Sequence, residues 1–119
     1  MKLKLFVIKN LEPVLGKIAK QDMNIQMAYR IGKLIQTLGS ELKNIEEHRI
    51  NLIKKYGTPQ EEDSNNYEVL PENKENFVKE YEELLNTETD ITIEEMSIDD
   101  FEGIILSPLD SIALSSILI

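Results

Sequence analysis

From Ile25 to Tyr56 the positions Ala28, Ile31, Ile35, Leu38, Leu42, Ile45, Arg49, Leu52 and Tyr56 follow one another at alternating spacings of three and four. A 3.5-residue period held over this distance predicts one α-helix with a coiled-coil-like seam. Such a helix of about 30 residues is roughly 45 Å long. That is longer than a chain of 119 residues needs internally, so the seam is expected to pack against another long element or a second copy of itself. Gly57-Thr58-Pro59 is predicted to end the helix, with Gly57 in a left-handed cap and Pro59 unable to continue it.

Two features of the seam bear on function. Gly32 and Gly39 lie one heptad apart beside it. Each costs about 1 kcal/mol of helix propensity against alanine, so something should offset the loss. Close approach of a neighbouring helix or a kink is the structural reading, and room for a ligand is the functional one. Arg49 occupies a seam position that is otherwise apolar or Tyr. It either snorkels to the rim, fixes oligomer register or faces an anion.

Charge divides the chain at the end of this helix. Residues 1–56 carry 11 Lys and Arg against 5 Asp and Glu, and residues 57–119 carry 2 against 17, so a half of +6 is joined to one of −15. Folding the halves together would cancel charge internally. The net charge of −9 opposes general attraction to nucleic acid or anionic lipid. Aromatic residues, at 6%, are too sparse for a base-stacking platform. There is no Cys, which removes disulfides, thiolate metal sites and Cys nucleophiles. No window resembles a membrane span or a cleaved signal, so a cytoplasmic protein with no membrane partner and no direct nucleic-acid binding is expected.

The remaining segments predict an α+β chain, mainly helical, with two or three shorter helices and a small sheet of two to three short strands. Lys2 to Ile8 alternates like a strand, and Asn10 with Pro13 announces a short helix to about Lys20. Asp22 or Asn24 caps the long helix. Residues 57–71 read as an acidic linker loop, with 60–66 its most polar part and Tyr67–Leu70 a short strand. Asn73 opens a helix whose apolar face is Phe77, Val78, Tyr81, Leu84 and Leu85, and Thr87–Glu94 alternates like a half-buried strand. Asp99–Gly103 reads as one helical turn closed by Gly. Ser107-Pro108-Leu109-Asp110 is a capping-box start for a final helix to about Leu118, apolar enough to be docked in a core or an oligomer interface. The organisation expected is a single domain, 1–119, of a basic half (1–56), a linker (57–71) and an acidic half (72–119).

No catalytic pattern accompanies these elements. His48 stands alone on a helix surface, with no ligand or triad partner at a telling distance. Glu94, Glu95, Asp99, Asp100 and Glu102 lack the alternation and central glycine of a calcium loop and read as a solvated acidic face. The five glycines are scattered, with no phosphate loop among them. No metal or cofactor is expected. Lys43, His48, Arg49, Lys54, Lys55 and Tyr56 are either a lysine-rich helix end complementing the dipole or, in an oligomer, an anion pocket.

Lys33-Leu34-Ile35, the run Glu46 to Gly57 (Glu-Glu-His-Arg-Ile-Asn-Leu-Ile-Lys-Lys-Tyr-Gly), Phe77 with Glu80, Glu83 to Glu88 and the late Ser107-Pro108 together resemble a family of short, uncharacterised proteins encoded by tailed phages. The resemblance implies a phage setting, the cytoplasm of an infected cell, and no catalytic residues. Small phage proteins of this kind are often binding proteins or assembly accessories. The expectation is a non-enzymatic homo-oligomeric binding protein. Its target would be a host protein, in a counter-defence role, or a small anionic, nucleotide-like ligand held by Arg49, Lys43, Lys54, Lys55 and Tyr56. The alternative is a virion structural or assembly accessory protein.

Overall fold

The heptad segment forms one uninterrupted helix, α2 (Ile25–Tyr56), of 32 residues. At 1.5 Å per residue it is about 48 Å long, and it sets the 51 Å long axis of the molecule. Asn24 caps it, its side chain accepting the Met27 amide at 2.9 Å. Asn24→Ala is expected to cost about 1 kcal/mol in a urea titration, because an orphaned first-turn amide replaces that bond. At the other end Gly57 does not take the left-handed cap. Its φ of −94° and ψ of 160° are extended, and the chain leaves directly into a strand.

The computed structural model describes residues 1–59 and 67–119. Before α2 come β1 (Lys2–Lys4) and α1 (Leu5–Ala19); after it come β2 (Gly57–Pro59), β3 (Tyr67–Val69), α3 (Pro71–Leu85), β4 (Glu88–Asp90), a 3-10 turn at Ile98–Phe101 and α4 (Pro108–Ser115). The fold is α+β and mainly helical. Its strands make two separate antiparallel pairs, β1 with β4 and β2 with β3, instead of one small sheet. The span read as a linker loop is thus closed at its base by a ladder running Gly57–Val69 to Pro59–Tyr67, while residues 60–66 lie outside the described residues.

Several boundaries move for identifiable reasons. The first strand stops at Lys4, because Leu5, Ile8, Leu11, Leu15 and Ile18 share a helical stripe that is buried throughout. Asn10 is therefore inside α1 and not its cap, and Pro13 is an interior proline, which leaves the Lys9 carbonyl without its helical donor. α3 begins at Pro71, pre-set for a first helical turn. The Thr87–Glu94 strand pairs over only three residues, although Ile91 buried, Thr92 exposed, Ile93 half-buried and Glu94 exposed continue the period-2 pattern. The capping box of Ser107 and Asp110 is present, but α4 ends at Ser115. Gly103, at φ +85°, closes the 3-10 segment in the region only glycine adopts cheaply.

The core lies between α1, α2 and the C-terminal segment. Met27, Ile31, Leu34, Leu38 and Ile45 of α2 meet the α1 stripe, with Ile91, Met96, Phe101, Leu114 and Ile117 completing the cluster. α3 lies along the C-terminal half of α2, where the Asn73 side chain donates to the Tyr56 carbonyl at 3.2 Å. No described helix is long and apolar enough to cross a membrane.

The two charge halves fold together. Lys17–Asp110, Arg30–Glu94, Arg30–Asp100 and Lys55–Glu80 are ion pairs between them. The β1–β4 register sets Lys2 opposite Asp90 and Lys4 opposite Glu88.

Candidate functional site

The expected anion cluster at the end of α2 does not form one cationic pocket. Arg49 grips Glu46 one turn back in a fork, Nε lying 2.9 Å from Oε2. Lys55 reaches across to Glu80 at 3.0 Å and lies over the Tyr56 ring. Arg49 holds the Glu46 carboxyl, and Lys55 the Glu80 carboxyl, below the usual range. A shallow hollow of about 220 Å³ brings His48, Asn51, Leu52 and Lys55 together with Glu80 and Leu84. Lys43 and Lys54 are exposed and line none of this.

The seam divides in two. Ile31, Leu38 and Ile45 are buried in the chain's own core, joined by Met27 and Leu34, which lie off the heptad positions. Leu52 is half-buried near α3. Ala28 is exposed, and Ile35 and Leu42 are half-buried. With Gly32 and Gly39, these last three form a second stripe spaced four, three, four and three. Gly39, Ile35 and Leu42 face Glu12, Leu15, Gly16 and Ala19 of α1 across an almost wholly apolar groove of about 220 Å³.

Close approach of a neighbouring element within the chain does not account for the α2 glycines. The helix is unbroken at both, and a Cβ built on Gly16, Gly32 or Gly39 meets nothing within 4 Å. Two costly residues therefore persist in a long helix with open space above them.

A second groove, of about 460 Å³, runs between Phe6, Val7, Pro13 and Val14 of α1 and Leu109, Ile112 and Ala113 of α4. Leu114 and Ile117 anchor the last segment in the core, whereas Leu109 and Ile112 stay 77% and 67% exposed. The final helix is docked on one side only.

A cleft of about 860 Å³ lies between α2 and residues 92–96. Its wall residue Arg30 contacts Glu94 and Asp100 at 3.4 Å and donates to the Glu95 carbonyl at 3.1 Å. The Asp100 carboxyl, which accepts the Ser97 amide and pairs with Arg30, is held below its ordinary range. Sequence reasoning passed over Arg30, whose partners are 65 and 70 residues away. The one available cue was the density of acids between Glu94 and Asp100.

No protein-family profile matches the chain, and neither a curated protein nor a solved structure matches it.

Proposed function

We propose that this chain is a non-enzymatic interaction protein that works as a homo-oligomer, with copies meeting on the α1–α2 groove. The observation that carries the reading is the open space above Gly32 and Gly39. Their propensity cost, about 1 kcal/mol each against alanine, has no counterpart inside the chain. Small residues alternating with apolar ones let a neighbouring helix backbone approach closely while Ile35 and Leu42 interdigitate. The stretch of heptad seam open to another copy is then Ala28, Ile35 and Leu42.

At the end of α2 the same reading favours a protein partner over a small anion, because Arg49 and Lys55 already hold carboxylates. The proposed setting is the infected-cell cytoplasm that the phage resemblance implies, and the proposed role is host-directed binding. A virion or assembly accessory is the second reading. The additional groove at α4, with Leu109 and Ile112 exposed beside it, favours it, since an assembly component contacts more than one neighbour. Mass spectrometry of purified virions separates the two, presence supporting the accessory role and absence the host-directed one.

Light scattering on gel-filtered protein tests self-association. Wild type is expected above the 13.7 kDa of one chain, and Gly39→Leu at that mass with an unchanged circular dichroism spectrum. A wild type that is monomeric at tens of micromolar overturns the proposal. Gly39→Ala supplies a second measurement. Dilute, unassociated protein should gain about 1 kcal/mol in urea, the propensity difference with no clash to oppose it.

A further inference from the structure

We propose that the groove between α1 and α4 binds an acidic amphipathic helix of a partner protein, its apolar side seated on Phe6, Leu109 and Ile112 and its carboxylates directed to Lys17 and Lys20. The proposal rests on the reading of the chain as an interaction protein, but this surface is separate from the α1–α2 groove and does not depend on self-association.

The fold holds the groove in place. Gln21 bonds both the amide and the carbonyl of Ile105 at 2.9 Å, and Lys17 meets Asp110 at 3.0 Å, tying the start of α4 to the end of α1. Leu114 and Ile117 anchor the same segment in the core. Leu109 and Ile112 therefore stay exposed at fixed positions, with the exposed Phe6 on the opposite wall. Single exposed apolar residues are ordinary, whereas three converging on one groove of about 460 Å³ mark a contact surface. A groove already in shape costs its occupant little ordering of the walls.

The walls select a helix. Both are helical and offer no free backbone edge to an added strand, so the occupant must satisfy its own amides and carbonyls, as a helix does. Phe6, Asn10, Pro13, Lys17 and Lys20 follow one another at spacings of four, three, four and three. That spacing keeps them on one face of α1, so the stripe forming the wall runs on into two ammonium groups. From Phe6 to Lys17 the wall is roughly 16 Å long, a length that three turns of a partner helix match, with apolar anchors at i, i+4 and i+7.

Charge selects the sign of the partner. Residues 5–20 and 104–119 carry three lysines against Glu12 and Asp110. This part of the chain sums to +1 while the remainder sums to −10, so an acidic partner is steered toward it. Asp110 is already taken up by Lys17 and the Ser107 amide. Lys17 nevertheless keeps 58% of its side-chain surface exposed. Lys20 is exposed and forms no ion pair among the described residues.

The test uses the whole chain and an acetylated, amidated helical peptide of about four turns, with leucines at heptad spacing among glutamates and alanines. The same peptide with lysine for glutamate is its reverse. NMR titration should shift the amides of residues 6–14 and 109–116 with the glutamate peptide alone. Ile112→Ser should abolish those shifts with an unchanged circular dichroism spectrum. Lys20→Glu should weaken the glutamate peptide by about tenfold, which is about 1.4 kcal/mol. Gly39→Leu should bind it as the wild type does. The proposal is overturned by absence of shifts at millimolar glutamate peptide, by equal binding of the two peptides, by affinity unchanged in Ile112→Ser or Lys20→Glu, or by loss of binding in Gly39→Leu. It is also overturned if the same amides shift on concentrating the protein alone, which marks a second copy as the occupant, or if phosphatidylserine vesicles sediment the wild type but not Ile112→Ser, which marks a lipid surface.

Discussion

Leu38→Ala is expected to lower the unfolding free energy by about 3 kcal/mol, within the 2–5 kcal/mol typical of buried leucines. Leu38 is fully buried at 0% exposure, on the stripe of α2 that meets α1. The truncation removes apolar contacts and leaves a cavity that two long helices cannot close without shifting along their length. In urea the midpoint should fall with an unchanged slope. Ile50→Ala, at an exposed position of the same helix, should stay within about 0.5 kcal/mol. Equal effects at the two positions would contradict the assigned inner face of α2.

The second large effect is loss of the C-terminal segment in acid. Asp110 accepts Lys17 at 3.0 Å and the Ser107 amide at 3.2 Å, and Lys17 is the chief reason its carboxyl sits below the usual range. Asp100, in the preceding 3-10 turn, is lowered in the same way, with the Ser97 amide as leading cause and Arg30 next. Each is the third residue of a capping box, and each ties the acidic half to the basic half. Both carboxyls are lowered in the folded state, so the unfolded chain binds protons first. Their stabilisation is complete above the unfolded carboxylate value of about 3.9 and is lost as pH falls through the lower folded values. Acid unfolding below about pH 4 should therefore begin at residues 97–119. Asp110→Asn should raise amide hydrogen exchange at Leu114 and Ile117 at neutral pH while α2 stays protected. Simultaneous loosening of α2 would show that the segment is not a separate cooperative unit.

These two expectations rest on regions of the molecule that differ in how legibly they were written. α2 was readable to its end residues, because a 3.5-residue period over 32 positions leaves one solution. The capping box of α4 was readable because Ser107-Pro108 with Asp110 satisfies the orphaned amides locally. Lys2–Ile8 reads as a strand because period-2 and helical patterns coincide over so few residues. Only the later Leu11, Leu15 and Ile18 show that Leu5 and Ile8 belong to a helix.

The site was less legible for a related reason. Heptad spacing told which residues lie on one side of α2 but not which stripe α1 would cover. Met27 and Leu34 replaced Ala28 and Ile35 in the core, leaving the glycine-bearing stripe half in solvent. Arg49 and Lys55 drew attention as a cluster of like charge, yet Glu46 and Glu80 neutralise them, the second from 25 residues away. Arg30 had no local signal, since its partners come from a segment that only the fold brings near.

The central claim is that Gly32 and Gly39 are kept for contact between copies. Sedimentation velocity of the wild type and of Gly32→Leu/Gly39→Leu, across a dilution series from high to sub-micromolar concentration, tests it directly. The account predicts that wild-type weight-average mass falls on dilution from at least about twice that of one chain, following mass action, while the double variant stays at 13.7 kDa throughout. A wild type fixed at 13.7 kDa, or a double variant that assembles as the wild type does, would contradict it.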